Sequence, residues 1–193
     1  MSLGDALLTF VSVFVAALLA FYLDGLRERR ATERWVEEYL GFWRGLLEST
    51  AGEQEMNDAM GRRVEQALDG WLAAGPDGRP AWRDIDAITM NATARFSSPL
   101  LGAGGRVVPP DLMQQLFIAD ALAPALTARA DFVTRLFEAE IRPLVLAEAV
   151  PLEAGQRRAV ELYRSELHGL FEQMRGYATH MAGIRETLVR LGF

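Results

Sequence analysis

A chain of 193 residues without a single cysteine can form no disulfide, no thiolate nucleophile and no thiolate metal site. Its net charge of −6 lacks the basic field that phosphate backbones require, which argues against nucleic acid as a partner. Half of the residues are hydrophobic, but they are unevenly spread, and the longest uninterrupted apolar run stands at the start.

That run reads ALLTFVSVFVAALLAFYL from Ala6 to Leu23, with no charge, proline or glycine, and is bracketed by Asp5 and Asp24. As a helix it reaches roughly 27 Å, close to the ~30 Å hydrocarbon core of a bilayer. A signal peptide needs a basic n-region and a small-x-small cleavage site; Met1–Asp5 has no positive charge, and AFYLDG is a poor cleavage context. An uncleaved membrane anchor over residues 1–24 is therefore expected. Arg27, Arg29, Arg30 and Arg34 follow the run and nothing basic precedes it, so the arginine bias places residues 25–193 in the cytoplasm of a bacterium, below the inner membrane. The same arginines are positioned to meet anionic lipid headgroups, with Phe21 and Tyr22 at the boundary. Within the run Thr9, Ser12, Ala16 and Ala20 share a face of small residues, which allows close approach of a second helix in lipid.

From Asp24 to Thr50 there is no proline, and Trp35, Val36, Tyr39, Leu40, Trp43, Leu46 and Leu47 recur at three and four, so the anchor is expected to continue as an amphipathic stalk. Glu37, Glu38 and Glu48 oppose a place on anionic lipid, which favours packing against a protein core. A second helix is predicted with Met56, Met60, Val64, Ala67, Leu68, Trp71 and Leu72 on one face, stopping at Gly75, Pro76, Asp77 and Gly78.

A shorter helix is predicted from Trp82 to Phe96, followed by an irregular segment, SSPLLGAGGRVVPP. Its glycines do not make a phosphate loop, because no lysine follows and Pro110 opens a helix instead. Pro124 either interrupts that helix or starts another one toward Val150, and Pro143 should kink it. The loop from Ser97 to Pro109 is long enough to contact a partner, although a plain connector is the better reading.

The C-terminal stretch carries the most regular pattern. Val160, Leu167, Met174, Met181 and Leu188 are seven apart, and Tyr163, Leu170, Tyr177, Ile184 and Leu191 form the interleaved row. These are a and d positions of a helix packed on another helix. The pattern leaves open whether the mate is in the same chain or another copy; tyrosine and methionine at a and d favour an antiparallel mate within a bundle, the stalk being one candidate. Gly169, Gly176 and Gly183 also repeat every seven residues, and each costs up to ~1 kcal/mol against alanine in a helix. They read either as tolerated surface glycines or as a second helix interface requiring close backbone approach.

No residue constellation matches a catalytic, metal or nucleotide site, and no cofactor is expected. His168 and His180 are twelve apart and neither stands three residues after a glutamate, as di-iron bundles require. Asp84 and Asp86 fit helix capping better than cation chelation. Asn91-Ala92-Thr93 is a glycosylation triplet without meaning in a bacterial cytoplasm.

The opening, a span followed by LDGLRERRATERWVEEYLGFWRGLLEST with Glu37, Glu38, Tyr39 and Leu40 as a Glu-x-Tyr-Leu-like element, resembles an uncharacterised group of small bacterial single-span membrane proteins. The likeness covers about the first quarter of the chain and implies only an anchored-helix topology. The expected fold is all-α: one N-terminal transmembrane helix continuing into a helical bundle with a long heptad-patterned C-terminal helix. The expected function is a non-enzymatic, membrane-anchored interaction or scaffold protein, partnered by lipid and by itself or another membrane protein. A signalling or gating element, or a membrane-bound enzyme using the Ser97–Pro109 loop, are the alternatives.

Overall fold

The computed structural model describes residues 3–74, 96–102, 104–149 and 151–193, with side chains from Phe14 onward except residues 49–55. Every regular element among them is helical. Helix α1 runs from Leu3 to Ala73 without a break, roughly 105 Å of continuous helix. The sequence predicts one helix running from the apolar run into the stalk and a second helix after Thr50, and the structure joins that second helix to the first. The junction at Ser49-Thr50-Ala51-Gly52 contains no proline, and one glycine costs too little to end a helix that packs on both sides of it. The predicted stop at residues 75–78 and the predicted helix from Trp82 to residue 95, with Asp84, Asp86 and the Asn91–Thr93 triplet, lie outside the described residues.

Two 3-10 turns, Ser98–Leu100 and Gly104–Arg106, shape the segment before α2, which spans Pro110–Leu136 with a proline in its first turn. Pro124 remains inside α2 and neither ends it nor starts another helix. Its cost of about 3 kcal/mol is outweighed because Leu116, Ala119, Ala123 and Leu126 are buried on both sides of it. Pro143 acts differently. It cannot donate to the carbonyl four residues back, and the ladder widens into a π-turn at Phe137–Ile141, where the Arg142 N–H reaches the Phe137 carbonyl. The short α3, Arg142–Leu146, follows, and the chain turns through Glu148 at φ 47°.

Helix α4, Ala154–Leu191, is closed at both ends. Glu153 and Gln156 form a capping box at its start. At its end Gly192 takes φ 82°, and the Gly192 and Phe193 amides donate to the Val189 and Leu188 carbonyls at 3.2 and 3.1 Å. This is the Schellman arrangement, which needs the left-handed conformation that glycine adopts freely.

The helices assemble into a three-helix bundle with two hydrophobic clusters end to end. One joins Val36 and Leu40 of α1, Leu112, Leu116 and Ala119 of α2, and Ile184 and Leu188 of α4, with Phe96, Leu100 and Val108 from the connecting segment. The other joins Val64, Leu68 and Trp71 with Leu126, Ala130 and Val133, and with Val160, Tyr163, Leu167, Leu170 and Phe171. Early residues of α1 and α2 thus meet late residues of α4: α1 and α2 run parallel, and α4 runs antiparallel to both.

Candidate functional site

The a and d rows of α4 are the face that enters the bundle. Val160, Tyr163, Leu167, Leu170, Ile184 and Leu188 are buried, and Met174, Tyr177 and Met181 are half-buried between the two clusters. Leu191, the last of the pattern, is exposed. Polar pairs mark the register along the α1–α4 seam: Glu65 with His168 at 2.8 Å, Asp69 with Arg164 at 2.6 Å, and the Leu72 carbonyl with Arg157 at 2.8 Å. Each step forward on α1 is a step back on α4, as an antiparallel pair requires. His168 is therefore an exposed cross-helix partner, and the His180 Nε2 lies 2.9 Å from the Gln115 carbonyl.

The glycine row of α4 does not act as a unit. A Cβ on Gly169 would collide with the Arg129 guanidinium of α2, whereas Gly176 and Gly183 have nothing within 4 Å among the described residues. Close approach at Gly169 is to a side chain, which pairs there with Glu166 at 2.9 Å; among the described residues no backbone comes near the other two.

The N-terminal end of α1 has a different character. Every residue from Phe14 to Leu23 is exposed, among them Phe14, Val15, Leu18, Leu19, Phe21, Tyr22 and Leu23. No element of the described residues covers this apolar surface on any side. Ala16 and Ala20 share in that exposure, while the side chains of Thr9 and Ser12 lie outside the described set. Among the described residues no helix is long and apolar enough to cross a membrane, and residues 6–13 of the apolar run are not among the described side chains.

Arg27, Arg29, Arg30 and Arg34 follow, all exposed. Arg29 pairs with Glu33 at 2.9 Å; among the described residues the other three have no ion pair. Nine residues, two and a half turns, separate Arg27 from the buried Val36, so Arg27, and with it Arg30 and Arg34, points away from the bundle.

Comparison with protein-family models, curated proteins and solved structures finds no match for this chain. Nothing in them bears on the likeness to small bacterial single-span proteins.

Beyond the arginines the structure builds a clasp that the sequence does not announce. Trp35, Tyr39 and Trp43 rise along one face of α1, Trp35 stacked on Tyr39 at 5.7 Å and Trp43 against Phe96 at 4.1 Å. The Tyr39 hydroxyl donates to the Phe96 carbonyl at 3.0 Å. From α2, the Asp120 carboxylate accepts the Phe96 amide at 2.6 Å, the Ser97 amide at 2.8 Å and the Ser97 hydroxyl at 2.5 Å. Burial first, and the nearby Asp120 charge second, raise the Tyr177 phenol above its ordinary range. Asp120 stands alone as a charge between Asp111 and Arg129, the one sequence signal that could have drawn attention to it.

The clasp fixes the turn that follows. Pro99, Leu101 and Gly104 form one wall of an open groove of about 330 Å³, and Glu28, Ala31, Thr32 and Trp35 of α1 form the other. Among the described residues no group of three His, Asp or Glu could hold a metal ion.

Proposed function

We propose that the chain is a membrane-anchored, non-enzymatic interaction module, held at the inner membrane of a bacterium by residues 6–23 and presenting its bundle to the cytoplasm. The observation that carries the reading is the exposure of ten successive residues, Phe14–Leu23, nearly all apolar. An apolar helix that no other element of the described residues covers is at home in lipid, where its backbone is satisfied internally and its side chains face acyl chains. Exposed Arg27, Arg30 and Arg34 directly after it, without an ion pair among the described residues, support a cytoplasmic exit. Anchoring confines the bundle and its partner, a second copy or another membrane protein, to two dimensions, so weak contacts suffice.

The test is fractionation with a topology reporter. The protein should stay in the membrane pellet through an alkaline carbonate wash, and alkaline phosphatase fused after Phe193 should be inactive. Release by carbonate, or an active fusion, overturns the reading. A signalling element is the second reading, favoured by the unbroken course of α1 from the apolar stretch through both hydrophobic clusters. It requires that inserting two residues after Gly25, which rotates the two parts by roughly 200°, alters a partner's response without releasing the protein from membranes.

A further inference from the structure

The segment from Ser97 to Pro110 holds one charged residue, Arg106, and no acidic one. Its turn presents Leu101 at 58% exposure, although the segment's start is held by Asp120 and Tyr39 and its Leu100 is fully buried. A rigid turn that spends two anchors to display a leucine is a built surface.

Its place in the fold identifies what it meets. Pro99 and Leu101 stand beside Glu28, Ala31 and Thr32. By contrast, the end of α4 lies level with Arg44, whose Nη1 donates to the Phe193 carbonyl at 2.6 Å. Outside α1, the turn is the part of the described chain that reaches furthest toward Leu23. Glu28 and Thr32 lie five and nine residues past Leu23, roughly 8 and 14 Å along the helix. The polar headgroup layer adds roughly 5–8 Å to each side of the hydrocarbon. The ordinary ~20° tilt of a spanning helix lowers whatever stands beside it by a few ångströms more.

We propose that the turn displaying Pro99 and Leu101 is a second lipid contact, resting in the phospholipid headgroup layer beside α1. It rests on the reading of residues 6–23 as a span. Leu101 and Pro99 reach into the outer part of the headgroup layer, while Arg27 and Arg30 at the same level meet the phosphates. Glu28 and the face of Trp35 in the groove match the ammonium of an ethanolamine headgroup. Two contacts on one bundle fix its tilt and rotation, where a lone span would leave it free to swivel.

The absence of cysteine permits a clean test. Leu101→Cys, Leu146→Cys and Leu18→Cys, all at exposed positions, are labelled with an environment-sensitive fluorophore in the full chain, in vesicles of phosphatidylethanolamine and phosphatidylglycerol. Nitroxide lipids, carrying the quencher on the headgroup or along the acyl chain, report depth. The expected result is quenching at Leu101 by the headgroup nitroxide, quenching at Leu18 by the acyl-chain nitroxide, and neither at Leu146, on α3. Quenching at Leu18 with Leu101 behaving like Leu146 overturns the second contact and leaves the span standing. A Leu18 label unquenched by both lipids overturns the span, and the second contact with it.

Discussion

The ring of Phe171 on α4 occupies the space in which a side chain on Gly61 of α1 would begin: a Cβ there would stand 2.8 Å from its Cζ. Phe171 is buried in the cluster with Val64, Leu167 and Leu170, so the ring has little freedom to withdraw. Alanine normally stabilises a helix interior relative to glycine by roughly 0.5–1 kcal/mol. Gly61→Ala should reverse that sign, destabilising the bundle by about 1–3 kcal/mol through overpacking. Gly45→Ala and Gly70→Ala, with nothing within 4 Å, should follow the ordinary rule. Denaturant titration of the three variants measures both, and adding Phe171→Leu to Gly61→Ala should recover part of the loss.

Asp120→Ala strands the Phe96 and Ser97 amides together with the Ser97 hydroxyl, of which Phe96 and Ser97 are buried. A cost of about 3 kcal/mol is expected from unsatisfied buried donors. The loss should be local before it is global. Amide exchange at Leu100 and Leu101 should accelerate more than in the α4 core around Leu167. Equal acceleration everywhere would show that the clasp holds the whole bundle instead of the turn.

Helical class, the α4 heptads and the opening of α2 at Pro110 were legible because each is written locally, in periodicity or in a proline that tolerates only certain positions. Continuity of α1 was not. Two apolar rows, one ending at Leu47 and one starting at Met56, read as two helices, yet a single helix that passes from one hydrophobic cluster to the next carries both without ending. Pro124 and Pro143 look alike in sequence, yet one is absorbed inside a helix and the other opens a π-turn, because packing on both sides of each decides the outcome. Asp120 and Tyr39 were invisible as a pair: they are 81 residues apart and converge on Phe96.

Tyr163 is fully buried on α4, and its hydroxyl has no partner among the described residues. Burial pushes the phenol well above its ordinary value of 10. Once the pH passes that ordinary value, the unfolded chain gives up a proton that the folded one retains. Stability is therefore complete below about pH 10 and falls as the pH rises beyond it. Tyr163→Phe should flatten that alkaline decline in thermal melts taken between neutral and strongly alkaline pH. At pH 7 the variant should lose no more than about 1 kcal/mol, and removing an unpaired buried hydroxyl can turn that into a gain.

The glycine row of α4 separates one chain's needs from those of an assembly. Gly169→Ala places a methyl group where the Arg129 guanidinium lies, so it should disturb the Arg129–Glu166 pair and lower the melting temperature. Gly176→Ala and Gly183→Ala meet open space, and each should stabilise α4 by up to about 1 kcal/mol when the protein is dilute in detergent. Mass measurement at rising protein concentration then reads the second property. A second copy packing its backbone on Gly176 and Gly183 would be pushed away by the two methyl groups, and the oligomer would dissociate while the fold of each chain gained stability. If instead the oligomer mass and the gain in melting temperature both hold for the double variant, this face is left to solvent, and self-association uses another surface, the small-residue face of the proposed span at Ala16 and Ala20 being the next to substitute.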